Sequence, residues 1–349
     1  MTDVQSESAQ AETLPGEGGP GASPPSDTAA ATPAGSDGLV AGGLVPERLL
    51  TREKTTRVVA ARVSVWGRLA SLWHSRELFA FLVRKEIKVR YKNSFLGFLW
   101  SMLNPALNLT VFYVLFTYFL PNGIRWFVIY MFAAMLVWNL FSTAVLSATS
   151  TIVANGGIVK KVAFPREILA FASVGSAFMF FLFQSIVMIG FMFAFWHRPA
   201  WSEMWLLVPA LLAILLFASA LAVFLAAVNV YLRDTQHLVE VVLMAWFWAT
   251  PGIYRFTGPV HEKLANHHIL WLYFLDPVVP VVMTFQRVFY AVPVAKSTIA
   301  PFAPQQMLAT YGVHWYVAAL LAVIAVSIVL LIGALVVFGR LEGNFAEEL

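Results

Sequence analysis

Between Asn93 and Ile124 the chain carries no charged residue at all, and this silence recurs along the rest of it. Phe95–Leu120 has 26 uncharged, mostly apolar residues, Trp126–Ala148 has 23, Ile168–Trp196 and Met204–Leu232 have 29 each, and Trp315–Phe338 is a fifth unbroken run. An α-helix needs about 20 apolar residues to cross the hydrocarbon core of a bilayer. Within lipid, only a helix or a closed barrel satisfies its own backbone. The runs therefore predict an all-α integral membrane protein. A shorter apolar segment, Leu238–Tyr254, contains Pro251 and carries Glu240 near its start; counted as a span, it brings the total to six.

Only 12% of the residues are charged, against about 25% in soluble domains. Cysteine is absent, which excludes disulfides, thiolate metal sites and a cysteine nucleophile. No basic-then-apolar signal pattern opens the chain. Residues 1–47 hold seven acidic residues and no Lys or Arg, among Ala, Gly, Pro and Ser. With so little apolar surface to bury, this stretch is expected to be a disordered tail.

Residues 48–94 reverse the charge, with twelve of the 23 basic residues between Arg48 and Lys92. Helical spacing places Leu78, Phe79, Leu82, Val83 and Ile87 on one face, opposite Arg76, Arg84, Lys85 and Lys88. Such a basic amphipathic helix lies at the membrane surface. Its charges, Arg84, Lys85, Lys88, Arg90 and Lys92, either anchor it to anionic lipid or also receive the charged head of a lipid-linked substrate. Lys160, Lys161, Arg166, Arg233 and Arg340 fall on the same side as this block, whereas Arg125, Arg198, Arg255, Lys263, Arg287 and Lys296 fall on the other. The bias predicts a multi-pass protein of the cytoplasmic membrane with both termini in the cytoplasm. Residues 95–338 form its membrane domain and 339–349 a short cytoplasmic tail.

Three further stretches carry functional expectations. Asn155-Gly156-Gly157 breaks a helix and Pro165 suits the start of the next. Between them Ile158, Val159, Lys160, Lys161, Val162 and Phe164 form a short basic helix, shaped either to dock into a cytoplasmic partner or simply to serve as an inside loop. Asp234 is placed to cap the helix of Leu238–Tyr254, and Glu240 is either a functional ionisable group or close enough to the boundary to reach water. Aromatic residues crowd the second run, Trp126–Ala148, and the shorter segment Leu238–Tyr254. Trp138, Phe141, Trp246 and Trp248 either pack or line a passage where they stack on sugar rings. Between Leu238–Tyr254 and the last run, Trp315–Phe338, residues Asp276-Pro277, Pro280, Gln286 and Arg287 interrupt the apolar stretch Ile269–Ala291, which predicts a re-entrant pair of short helices. No phosphate-binding loop, no His pair for a metal and no catalytic carboxylate set is evident, so the chain is expected to be no enzyme and to bind no metal. Any energy source then sits on another chain or in an ion gradient, and the near absence of intramembrane carboxylates argues against the gradient.

KVRYKNSFLGFLWSMLNP, NGGIVKKVAFPREIL, NVYLRDTQHLVEVVLMAWFWATPGIY and the terminal LEGNFAEEL together, in this order, resemble the permease subunit of ABC-type polysaccharide exporters, the Wzm/TagG-like family. The resemblance runs from about Arg76 to Leu349, and the alanine-rich tail is similar to that of actinobacterial members. It implies two copies of the permease and two of an ABC ATPase subunit, with ATP and magnesium on that subunit and no cofactor on this chain. It implies a cargo of lipid-linked polysaccharide (cell-wall galactan, O-antigen or teichoic acid), contact with membrane lipid, and no nucleic-acid partner. The basic residues from Arg84 to Lys92 would then lie where the lipid pyrophosphate enters, and Ile158–Phe164 in the helix that couples to the ATPase. Asp276 and Pro277 would lie at an outer gate, where relatives carry Asn-Pro. An exporter of small hydrophobic drugs with the same fold, and a membrane glycosyltransferase acting on lipid-linked sugar, are the competing readings.

Overall fold

The computed structural model describes residues 65–90, 99–120, 124–252, 254–257, 259–268, 270–295 and 305–349. The acidic tail, the first part of the basic block and Lys92 lie outside the described residues. The basic segment forms two helices, α1 (Val65–His74) and α2 (Arg76–Arg90). Next come α3 (Leu99–Val114), extended by a π-helical turn over Leu115–Phe119, α4 (Phe127–Ala154), the short α5 (Gly156–Lys161) and α6 (Glu167–Ala194). A 3-10 turn at Trp201–Leu206 leads into α7 (Leu207–Tyr231), followed by α8 (Thr235–Ala249). Three shorter helices, α9 (Pro259–Asn266), α10 (Leu270–Tyr273) and α11 (Val278–Tyr290), precede the long α12 (Val313–Leu341) and a terminal turn, α13 (Phe345–Glu348). Among the described residues the only strands are the two-residue β1 (Val294–Ala295) and β2 (Gln305–Gln306), paired antiparallel with Val294 opposite Gln306.

Five helical stretches are long and apolar enough to cross a membrane: 102–119, 127–154, 167–194, 201–231 and 313–344. The segment expected as a fifth of six spans forms α8, whose 15 residues reach only about 22 Å, and Thr250-Pro251-Gly252 then ends the helix. Asp234 stands at its N-cap position but has helical dihedrals, and its side chain makes no capping bond. That corrects the expectation of a cap: a side-chain cap needs extended backbone at this position.

The core is built around α4. Its apolar residues run all the way round, as expected of a helix enclosed by others, and it packs on α6, α7, α8 and α11 while α12 packs on the far side of α7. Small side chains permit the close approach: Ala133, Ala144 and Ala148 on α4, Ala170 on α6, and Ala213, Ala218, Ala222, Ala226 and Ala227 on α7 are all fully buried. Between helices in lipid, where burial from water drives nothing, such contact is the main source of association.

Two ends follow from this arrangement. At the basic end, Arg68 of α1 pairs with Glu167, the first residue of α6, and with Glu342 beyond α12 at 3.0 Å. Its guanidinium crosses α12 at Gly339, where any Cβ would lie 2.6 Å from it. Arg166 donates to the Glu342 carbonyl (2.7 Å), Tyr231 donates to the Leu341 carbonyl (2.7 Å), and Phe345 is fully buried beside Tyr231 and Phe338. Leu349 packs over Gly156, at the root of α5. At the opposite end, Tyr290 of α11 donates to the Arg125 carbonyl, and Arg287 grips Glu203 through Nε (2.5 Å) and Nη2 (2.7 Å).

Candidate functional site

The site grows from the way α2 meets α6. Leu82 and Val83 are buried, and Phe79 and Val83 press on Gly175, where an added Cβ would stand 2.8 and 2.9 Å from them. Glycine is needed there because the two helices touch. Beside this seam, Glu86 accepts hydrogen bonds from Ser176 (2.6 Å) and Ser173 (3.2 Å), and Arg90 lies 4.5 Å from the Phe180 ring centroid. Successive contacts climb both helices in the same direction. The end of α2 therefore lies about three and a half turns along α6 from Glu167, which is more than a surface helix requires.

The helix turns its charges two ways. Lys85 faces the bundle and donates to Asn155 Oδ1 at 2.9 Å, at the end of α4, and Arg90 faces the space between α3, α4 and α6. Arg84 and Lys88, one turn apart, are exposed on another face. Lys85, Glu86, Arg90, Thr143, Ser147 and Asn155 line a cavity of 320 Å3. Through Arg90, Thr143 and Phe180 it adjoins a second cavity of 590 Å3, bounded by Trp100, Asn104 and Asn108 of α3, Asn139 of α4 and Gln184 of α6. Asn139 donates to Gln184 Oε1 at 3.1 Å. The combined groove begins at cations and continues among neutral amides and hydroxyls, between helices that otherwise present apolar faces. It can hold a phosphate at its mouth and a hydroxyl-rich chain beyond.

Asn104, Asn108, Asn139 and Gln184 were not singled out by sequence reasoning. The available signal was their position: strongly polar side chains in the middle of spans, where polarity is costly and marks a pathway.

At the basic end α5 spans only Gly156–Lys161, so Val162 and Phe164 follow it in extended or irregular backbone. Val159 is buried and Phe164 packs against the core, while Ile158, Lys160, Lys161 and Val162 are exposed. An apolar pair thus stands outward beside two ammonium groups. Glu240 is half-exposed and sits 3.7 Å from exposed His237.

The aromatic candidates are divided. Phe141 has no exposed surface; it stacks on Phe217 (5.5 Å) and meets Trp246 edge-on (5.3 Å), and Trp138 is buried against Phe141 and Phe247. In this conformation both pack. Trp248 is exposed. Trp246 Nε1 donates to Asp276 Oδ2 at 2.8 Å, and Asp276 Oδ1 accepts the Val278 N–H at 2.9 Å, closing the first turn of α11. Pro277 takes helical dihedrals just ahead of that turn. Asp276 therefore lies at the level of Trp246, whereas Arg287 and Tyr290, at the far end of α11, meet Glu203 and Arg125. Gln286 donates to the Pro251 carbonyl at 2.8 Å, satisfying backbone that the break after α8 leaves open. Among the described residues no group of three or more His, Asp or Glu could hold a metal ion.

Comparison with known proteins adds two findings. A family profile described as "ABC-2 type transporter" matches residues 77–290. The O-antigen export system permease protein RfbA of Myxococcus xanthus is 33% identical over 279 residues, covering 80% of this chain and 97% of that protein. A protein of the same name from Klebsiella pneumoniae is 25% identical over 213 residues, 61% of this chain and 80% of its own length.

Proposed function

This chain belongs to the ABC-2 type transporter family, and on that premise we propose that it is the membrane permease of an ATP-driven exporter of a lipid-linked polysaccharide. The observation that carries this reading is the groove of amides and hydroxyls between α3, α4 and α6, opening at Lys85 and Arg90. Sugars need many neutral hydrogen-bonding partners and no fixed charge, whereas a small hydrophobic drug needs none of them. The diphosphate of a polyprenyl-linked glycan would meet Lys85 and Arg90 first. Arg84, Lys88 and Lys92 would bind anionic lipid or attract the cargo. O-antigen, teichoic acid and cell-wall galactan all share this chemistry.

The motor is a separate ABC ATPase, in two copies, holding ATP and magnesium. It would dock on Ile158, Val162, Lys160 and Lys161, and its stroke would reach α4 and α6 through the short connections on either side of α5. A second copy of this chain would cover the exposed faces of α3 and α8, where Leu107, Val111, Val241 and Met244 are open. Sugar stacking then falls to Trp248. The descent through α9 and α10 to Asp276-Pro277 and the return along α11 make a re-entrant outer gate. With α8 as the remaining crossing, both termini stand in the cytoplasm.

The test is the double variant Asn139→Leu/Gln184→Leu, expressed with its ATPase. Surface glycan should fall by roughly tenfold or more, the worth of losing two hydrogen-bonding groups from a binding groove. Permease abundance in the membrane and its stimulation of ATP hydrolysis should be retained. Undiminished export would sink the groove as a glycan path.

A further inference from the structure

We infer that the end opposite α5 carries a binding site for an anionic phospholipid, seated between α6 and the turn leading into α7, with Arg198 as its phosphate ligand. The site is a cavity of 510 Å3 whose rim includes Trp196, Arg198 and Trp201 and whose wall includes Ile189, Phe193 and Phe289. It shares no lining residue with the amide groove.

Two exposed ridges run into this cavity. On α6 they are Met179, Leu182, Ile186, Ile189 and Phe193, spaced by three and four residues so that they form one stripe along the helix. On the other side Trp201, Trp205, Val208 and Leu212 keep the same spacing. Their ends, Ile189 and Phe193 on one side and Trp201 on the other, meet in the lining of the cavity and make it an apolar slot of acyl-chain character. At its head, Trp196 is 92% exposed and adopts a left-handed backbone, φ 53°. The turn that requires this is fixed by the His197 N–H bonded to the Met192 carbonyl at 3.0 Å. Glycine is usual at such a helix end; here a tryptophan holds the position with its side chain exposed.

A belt of interfacial tryptophans explains the two rings at the rim. It does not explain Arg198. The nearby carboxylate, Glu203, is held by both the Nε and Nη2 of Arg287, and among the described residues Arg198 makes no ion pair. An exposed guanidinium with no internal anion, set between two tryptophans above an apolar slot, matches a lipid phosphate with a chain lying below it. A zwitterionic lipid would bring its own cation to the same place, so selectivity for a net negative headgroup follows.

The experiment uses the full-length chain in nanodiscs of phosphatidylcholine containing phosphatidylglycerol, with lipids retained on release counted by native mass spectrometry. One phosphatidylglycerol should be retained in preference to phosphatidylcholine. Arg198→Ala should weaken its retention about fivefold, the worth of one basic residue at a lipid surface. Ile189→Trp, which fills the slot and leaves the charge, should weaken it as well. Equal retention by wild type and Arg198→Ala, equal retention of the two lipids, or displacement by millimolar inorganic phosphate without any effect of Ile189→Trp would each overturn the assignment.

Discussion

Helices α3 and α4 begin as near twins, uncharged apolar runs of 26 and 23 residues separated by five, yet they have opposite fates. Of the apolar window in α4, 78% is buried inside the protein; of that in α3, 6% is. The difference lies in what each run contains besides apolar area. The small residues of α4 let neighbours close round it, whereas α3 carries Asn104, Asn108 and an internal Pro105 and leans on α6 along only part of its length. Hydropathy measures transfer into something other than water. It does not say whether that something is protein, lipid or a second copy of the chain.

The sharpest way to break the comparison is to remove one large side chain from each helix. Phe141→Ala should destabilise the protein by about 3–5 kcal/mol, the usual cost of deleting a buried phenyl ring, read as a fall in thermal midpoint in detergent. Leu107→Ala on α3, whose side chain meets at most a second copy of the chain, should cost less than half as much. Equal effects would mean that α3 is as tightly packed as α4. The same contrast exists among the arginines. Arg68→Ala strands Glu167, whose side chain is 2% exposed, and should cost about 3 kcal/mol because a buried charge loses its partner. Arg84→Ala, on an exposed face, should leave stability unchanged.

The smallest expected effect is a pH slope at the opposite end, where the α3 and α4 ends meet through aromatic rings. His197 lies 5.6 Å from Trp126 and donates to the Phe289 carbonyl. Burial lowers its pKa; hydrogen bonds to the Phe289 and Tyr290 carbonyls oppose that, and Arg125 adds to the lowering. The folded state thus favours the neutral ring, and below about pH 6.5 the unfolded chain binds more protons. This contribution is complete above that pH and is lost as the pH falls. The stability difference between wild type and His197→Gln should therefore shrink on acidification; a difference independent of pH would show that His197 does not titrate between the two states.

Much of this architecture is legible in the residues. Length and lack of charge mark the long spans, Asn155-Gly156-Gly157 and Pro165 bracket α5, and the spacing of Leu78, Phe79, Leu82 and Val83 anticipates the face α2 lays on α6. What escapes reading depends on rotation and on distance along the chain. Glu167 reads as a favourable charge at a helix start, but its partner Arg68 is 99 residues away. Asn139 and Gln184 each read as lone polar residues, and only the relative rotation of α4 and α6 joins them. The shortness of α8 was visible in Pro251, and the burial of Phe141 was not visible in anything local.

The joint at Arg68 has a consequence for how the protein is made. Glu342 lies 274 residues beyond Arg68, and the Arg166 and Tyr231 bonds to Glu342 and Leu341 also wait for the last few residues of the chain. No order of helix insertion can complete that end of the molecule before α12 and Glu342 have been made. Until then Arg68 has Glu167 alone as its carboxylate partner. Without the residues after Leu341, α12 would stay whole, yet Arg68 would lose Glu342 and Tyr231 would lose the Phe345 ring, so the α5-bearing end would be unlocked.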